Sequence, residues 1–404
     1  MCGTVRLSAT RYVKYLLICY SCLLSCQSSA AEYLFSGNIK NFSIVQDEID
    51  TSSFSEPVTL LNQASTRLML DVFSDNLVWQ VHYGVGLNNR SEAAPMLPLG
   101  FTPEGNNYRL SDLRDVIGAE GHKHELVQNL DRLNVQWQTS AGDLTVGRQA
   151  MTFGSARVIN PTDVFLPFNV QAFNTEYRVG IDGIRFQRPL GDLGELDLGI
   201  VLGDDARGST SAAFARARTR LLDQDVTFTA MRFSGENLLG FGIESSLWTM
   251  GVWLEAAYVY SEDEYLRLST GLDYAFSEKW FGLVEYHYNG AGTDESNRYS
   301  TNSLAEPYQA GGVFLLGEHY LIPALTWQVS SLLSLSLQGI LNLDDQSQFI
   351  SLNAEYSLSD NTYLGAGYYQ FNGDDVSLTT TGIDLESEYG NSPNILFLNL
   401  RYYF

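Results

Sequence analysis

The feature that most constrains this chain is a two-residue alternation of apolar and polar side chains, repeated along segments of about ten residues. From Leu77 to Leu87, the residues Leu77, Trp79, Val81, Tyr83, Val85 and Leu87 share one face, and Gln80, His82, Gly84 and Gly86 fall on the other. Leu266 to Phe276, Trp280 to Asn289, Leu333 to Leu343 and Ile350 to Leu358 repeat the pattern. Each segment predicts a β-strand with one apolar and one polar face. Soluble sandwiches use such strands too, but theirs average only ~5–6 residues. The connections also alternate in length. Short ones at 74–76, 141–143, 190–194, 222–225, 277–279 and 359–361 are interleaved with longer or more polar ones at 46–58, 88–124, 154–176, 203–211, 290–312 and 373–393. That alternation characterises outer-membrane barrels. With the N-terminus in the periplasm, the short set is periplasmic.

Strand centres fall near 39, 66, 82, 132, 148, 183, 199, 217, 229, 243, 256, 270, 285, 324, 338, 353, 367 and 399. The expectation is therefore an all-β, antiparallel, up-and-down transmembrane barrel over 32–404, with 18 strands. Sixteen stays open, because the first strand and the 313–330 region have the weakest alternation. Only Leu110 to Gly118 reads as a possible helix, and no plug-sized segment precedes the barrel.

The first 31 residues read as a secretory signal: Arg6, Arg11 and Lys14 lead an apolar run, Tyr15 to Leu24, and Ser28-Ser29-Ala30-Ala31 offers small residues for cleavage. Leu23-Leu24-Ser25-Cys26 supports a second reading, a lipoprotein box with Cys26 as the processed residue. All four cysteines lie at or before Cys26, so the rest of the chain has neither a disulfide framework nor a thiolate metal site. Removing 1–31 leaves 21 basic and 47 acidic residues, a net charge of −26. That balance disfavours nucleic-acid binding, which needs a surplus of Lys and Arg. The 45% hydrophobic and 12% aromatic content excludes a disordered acidic tail.

The chain ends in Leu396, Leu398, Leu400, Tyr402 and Phe404, alternating with Phe397, Asn399, Arg401 and Tyr403. This resembles the terminal strand by which the barrel-assembly machinery recognises Gram-negative outer-membrane proteins, with Tyr402 and Phe404 as the signal. A second resemblance lies between 144 and 186, where LTVGRQAMTFGSARVINPTDVFLPF is followed by NTEYRVGIDGIRFQ. It is similar to the G-R-Q…N-P-x-D and E-Y-R-x-G-x-D-x-x-R pattern of porin-like barrels akin to the alginate-export and substrate-channel families, with Phe153 where Trp is expected. The resemblance implies a pore and leaves the cargo open.

In a barrel of this size, polar residues face a water-filled lumen. Phe214, Arg216, Arg218 and Arg220 alternate with Ala213, Ala215, Ala217, Thr219 and Leu221. Three arginines on lipid would cost ~2–4 kcal/mol each at the midplane, so they belong inside or near an interface. They form either an arginine ladder for anionic solutes or a set of structural pairs with loop carboxylates. Arg67, Arg132, Arg148, Arg185 and Arg401 make a basic sector, and Glu195, Asp197, Glu244, Glu255, Asp273, Glu285 and Glu355 an acidic one. Of these, Arg67, Arg148, Arg185, Asp197, Glu255 and Glu285 join the ladder as candidate pore-lining residues. Arg148 and Arg185 have an alternative role, pinning loop 154–176 together with Asp163 and Asp182. That loop carries few charges and is expected to fold inward as a constriction, with Asn160 and Asp163 at its turn. His122 and His124 read as solvated loop residues.

No catalytic motif, metal site or cofactor fingerprint is visible. The expected function is passive diffusion of small polar solutes, anionic ones among them. A polysaccharide-export barrel is the alternative, and an outer-membrane hydrolase the lesser one. The expected partners are outer-membrane lipids and lipopolysaccharide, the assembly machinery and the solute.

Overall fold

The computed structural model describes residues 31–50, 55–91, 106–117, 123–165, 177–260, 264–379 and 382–404. The signal segment, and with it the two processing alternatives, lies outside these residues.

Eighteen antiparallel strands form one closed sheet. They are β1 (Glu32–Gln46), β2 (Thr59–Ser74), β3 (Leu77–Arg90), β4 (His124–Thr139), β5 (Gly142–Gln149), β6 (Ile181–Leu190), β7 (Gly194–Val201), β8 (Ala212–Leu221) and β9 (Gln224–Phe233). The second half comprises β10 (Glu236–Leu247), β11 (Met250–Tyr260), β12 (Tyr265–Ser277), β13 (Trp280–Asn289), β14 (His319–Gln328), β15 (Leu333–Asn342), β16 (Gln348–Ser359), β17 (Thr362–Asn372) and β18 (Ile395–Tyr403). Each strand pairs with its sequence neighbours, and β1 also pairs with β18, in the register Ile39↔Tyr402. All eighteen centres read from the alternation lie within these strands.

Closure is sealed by two backbone bonds, Phe404 N–H to Gly37 O at 3.0 Å and Gly37 N–H to Phe404 O at 2.8 Å. A Cβ on Gly37 would sit 2.6 Å from the Phe404 ring, so the glycine makes room for the terminal aromatic.

The even-to-odd connections, β2–β3 through β16–β17, contain only two to four residues each and gather at one end of the barrel. In the β8–β9 turn, Leu222 and Asp223 both have positive φ (50° and 64°), as a two-residue turn matching the strand twist requires. Every long connection lies at the other end. There, 106–117 holds no helix: bends at 107–111 lead into a short strand. Asp115–Ile117 adds an edge strand to β4, and the Asp182 carboxylate accepts the Leu110 N–H, so both ends of the segment are tied to strands. Short helices occur instead at Tyr299–Asn302 and Glu306–Gln309, in the β13–β14 loop.

Two apolar clusters lie inside the barrel. One joins Phe42, Ile44, Tyr320, Ile322, Ile340 and Phe349 of the wall to Val158, Ile159, Leu315 and Tyr389 of the loops. The other joins Phe214, Phe233 and Ile181 to Tyr108, Phe153 and Phe165. The long loops therefore fold into the lumen, where burying their apolar residues against the inner wall is favourable at about 25 cal/mol per Å².

Candidate functional site: a loop carried across the lumen

The β5–β6 loop runs from 150 to 180, with 166–176 outside the described residues. Its first part lies along the inner face of β8–β13, at the mid-height of those strands. Two wall carboxylates hold it there by accepting its backbone N–H groups. Glu255 takes Ser155 N–H, Ala156 N–H (2.9 Å), Thr162 N–H (2.9 Å) and Thr162 Oγ1–H (2.7 Å). Glu285 takes Arg157 N–H (3.0 Å), Val158 N–H (3.1 Å), Ile159 N–H (2.8 Å) and the indole N–H of Trp253 (3.0 Å). Both side chains are buried, at 1% and 0% exposure. Loop N–H groups inside a protein need acceptors, and an ionised carboxylate is a strong one.

The neighbouring strands complete the cradle. Ser269 Oγ donates to Ile159 O (2.6 Å) and bonds His287 Nδ1 (2.8 Å), and Arg267 donates to Pro161 O (3.3 Å). Glycines on the wall supply the space. A Cβ on Gly242 would meet Ser155 Oγ at 2.6 Å and one on Gly240 the Thr162 methyl at 2.5 Å. Gly271, between Trp253 and Glu285 in register, lets the indole lie across it.

The loop's return is fixed on the opposite wall. The Tyr177 ring lies under the guanidinium of Arg67 (3.5 Å to the centroid) and near that of Arg132 (4.7 Å), and its hydroxyl bonds His82 Nδ1 at 2.8 Å. β3 and β12 are half a circuit apart among eighteen strands, so the loop straddles the barrel. At its base, Arg148 forms a two-toothed pair with Asp182 (2.8 and 3.0 Å) and donates to Leu130 O and Ser111 O. Arg178 pairs with Asp163 at 3.4 Å, while Asn160 O accepts Asp163 N–H to make a turn.

The three ladder arginines share the face of Phe214, whose ring packs on Phe153 of the loop at 4.8 Å. They therefore point into the lumen. Arg216 and Arg185 share the Asp197 carboxylate at 3.0 and 2.8 Å, and Asp197 is 1% exposed. Arg218 reaches Asp225 (3.6 Å) and Glu244 (3.9 Å), and Arg220 reaches Asp223 (3.8 Å). Arg218 stays 55% exposed against 19% for Arg216, so the ladder opens toward the short-turn end.

The candidate residues thus fall into distinct settings. Arg185, Arg216, Arg218, Arg220 and Asp197 come together on β6–β8. Arg67 pairs with Asp131 (2.7 Å) beneath Tyr177. Arg148 lies with Asp182 at the loop base, while Glu255 and Glu285 bind the loop itself. Arg185 pairs with Asp197, and neither Asp163 nor Asp182 is its partner. The acidic sector meets a cation that the alternation gives no hint of: Arg157 of the loop bonds Glu244 (2.8 Å), reaches Asp273 (3.4 Å) and stacks on Trp253 (5.2 Å). The one sequence signal for Arg157 is that it stands alone as a charge in an otherwise uncharged stretch. His124 bonds Asn89, and His122 lies outside the described residues. Among the described residues, no group of three or more His, Cys, Asp or Glu side chains could hold a metal ion.

The fold matches solved structures, among them one described as a porin. Acinetobacter baumannii OccAB4 superposes with a TM-score of 0.54 and 11% identity, over 92% of this chain and 98% of that one. Pseudomonas aeruginosa OpdQ gives 0.54 and 11% over 92% and 97%, and a BenF-like porin from Pseudomonas fluorescens gives 0.55 and 10% over 92% and 98%. At such identities the likeness is one of fold. No protein-family model matches the chain, and no curated protein matches it in sequence.

Proposed function

We propose that this chain is a porin of the Gram-negative outer membrane, a passive channel for small polar solutes, anionic ones included. The observation that carries the reading is the β5–β6 loop held across the lumen at mid-height, with charged and partly exposed Arg218, Glu195 and Glu244 on its short-turn side. A closed barrel with an inward loop gives a restricted water path, and the charges beside it set which ions pass. The short-turn end is periplasmic and the long loops extracellular, by the rule for such barrels. Barrel-assembly machinery, engaging Tyr402 and Phe404, is the assembly partner. Within the porins, the segment containing Arg148, Asp163 and Asp182 supports kinship with the alginate-export-like channels. The likeness to a BenF-like porin supports transport rather than catalysis.

Single-channel recording in planar bilayers tests this. Purified protein should conduct without any partner, and replacing Arg216, Arg218 and Arg220 by Gln should move the reversal potential in a salt gradient toward cation selectivity. The shift should be largest at low salt, where screening is weakest. An unchanged reversal potential would leave the three arginines as structural pairs, and no conductance at all would sink the channel reading.

A further inference from the structure

On the outer wall, apolar side chains are the rule: Leu396, Leu398, Leu400 and Tyr402 of β18 all point away from the lumen and are exposed. One sector breaks that rule. The strand registers place Leu398, Ser43, Asn62, Asn89 and His124 side by side across β18, β1, β2, β3 and β4. Ser43, Asn62 and Asn89 share the outward face, since Phe42, Ile44, Leu61 and Gln63, their chain neighbours, are buried on the lumen side. One residue pair deeper, Asn41 joins them beside Leu400 and Ala64.

The polar groups are not simply at the rim. Toward the long-loop end they are overlaid by the row Leu396–Val45–Leu60, whose members are 54%, 38% and 56% exposed. On the other side lie Leu400 and Leu87. The carboxamides form two hydrogen-bonded groups side by side: in the first, Asn62 Nδ2–H donates to Ser43 Oγ (3.1 Å) and Asn41 Nδ2–H to Asn62 Oδ1 (3.2 Å). Asn89 Oδ1 bonds His124 Nδ1 at 2.9 Å. Among the described residues, the Ser43 hydroxyl proton has no acceptor. Ser43, Asn62 and Asn89 floor an open groove of about 530 Å³ sided by Val45, Leu60, Leu396 and Leu398.

Polar side chains facing hydrocarbon are costly unless something there hydrogen-bonds them. The groove is shallow and has apolar sides and a polar floor, the counterpart of a chain that is apolar but carries hydrogen-bonding groups near its upper end. We infer that this sector is a binding site for lipopolysaccharide, with an amide- or ester-linked 3-hydroxyacyl chain lying in the groove and its hydroxyl and carbonyl groups on Ser43, Asn62 and Asn89. An ordinary phospholipid chain has no polar group below its ester, and so leaves the Ser43 hydroxyl proton without an acceptor. His124, at the β4 end of the same row, lies beside Asn89. The inference rests on the membrane orientation given above and not on what the pore conducts.

The test is native mass spectrometry of detergent-solubilised protein titrated with purified lipid A or with phosphatidylethanolamine. Wild type should retain one lipid A through delipidation and prefer it over the phospholipid. Ser43→Val combined with Asn62→Leu should lower that retention at least about tenfold, the scale of one or two lost hydrogen bonds. Conductance should be unchanged, which separates failure here from failure of the channel reading. The substitutions put apolar groups on a lipid-facing wall, so a heat-modifiable band should persist. Asn89→Leu alone is the second variant should the pair not fold. Equal lipid A retention by variant and wild type overturns the inference. So does equal binding of the phospholipid, or a wild-type oligomer that the substitutions dissociate without changing lipid A binding. That last result would assign the patch to a second copy of the chain.

Discussion

Two sectors of the lumen wall carry acidic residues at similar depth and use them differently. On β6–β8, Asp197 is consumed by the wall: Arg185 of one flanking strand and Arg216 of the other close on it. On β11–β13, Glu255 and Glu285 accept eight loop N–H and O–H bonds, as well as the Trp253 indole N–H, rather than pairing with wall arginines. The short Asp is confined to partners on adjacent strands of the sheet. The longer Glu projects past its neighbouring glycines into the lumen and meets the loop. Asp197 is therefore a local counter-ion and Glu255 and Glu285 are loop anchors, a split that follows the reach of each side chain and the room around it.

The largest expected effect comes from removing the anchors. Glu255→Ala with Glu285→Ala leaves six loop N–H groups without their acceptor, in a setting where each unsatisfied buried group costs about 1–3 kcal/mol. The loop should leave the wall while the barrel stays closed. Single-channel conductance should rise well above wild type and become noisy, with the heat-modifiable band retained. Conductance equal to wild type would show that the loop is held by Ile159 and Phe165 in their apolar clusters instead.

A smaller effect is expected from Asp197→Asn. The barrel keeps its hydrogen bonds to Arg185 and Arg216 in part, but two guanidinium groups lose their shared negative charge. Anion selectivity should increase, by less than the opposite shift produced by neutralising the three ladder arginines, and high salt should erase it. No change in reversal potential would place Asp197 outside the field felt by the ion. These two substitutions separate the roles cleanly, because the anchor variants act on conductance and the counter-ion variant on selectivity.

The strands and their closure were legible because period-2 alternation is a local property that survives any tertiary context. The inward loop was legible too, since a long stretch with so few charges has little reason to stay in water. The partners of Glu255 and Glu285 were not. Their acceptor bonds go to backbone N–H groups 93 to 128 residues away, and a backbone donor has no side-chain signature. Arg157 was missed for the complementary reason: its acids, Glu244 and Asp273, lie on two strands brought together only by β11. The stacking of Arg67 and Arg132 on Tyr177 likewise depends on a loop returning from the far wall.

The third and smallest effect uses a carboxylate that, like the wall anchors, accepts several hydrogen bonds, but is only partly buried and sits in a loop at the long-loop rim. Glu388 of the β17–β18 loop accepts the Tyr320 hydroxyl (2.5 Å), Asn342 Nδ2–H (2.9 Å) and Leu316 N–H (3.1 Å), while its own N–H donates to Asp345 (2.8 Å). It ties together the loops that follow β13, β15 and β17. Burial raises its pKa to about 7, against the lowering effect of the Tyr320, Leu316 and Asn342 bonds, and Asp345 raises it further. The sign follows from linkage. The closed form binds the proton more tightly than an opened loop, in which the carboxyl returns to its ordinary value near 4.5. Between those two values, closure is therefore favoured at the acid end and weakens as pH rises through about 7. Limited proteolysis of the 373–394 loop should be slow at pH 5 and faster at pH 8. Glu388→Gln, which mimics the protonated carboxyl, should hold the slow rate at both. A wild-type rate, corrected for the protease's own pH dependence, that is flat over this range would mean that Glu388 does not govern the rim. A rate that still rises in the Gln variant would assign the titration to another group, Asp345 being the nearest.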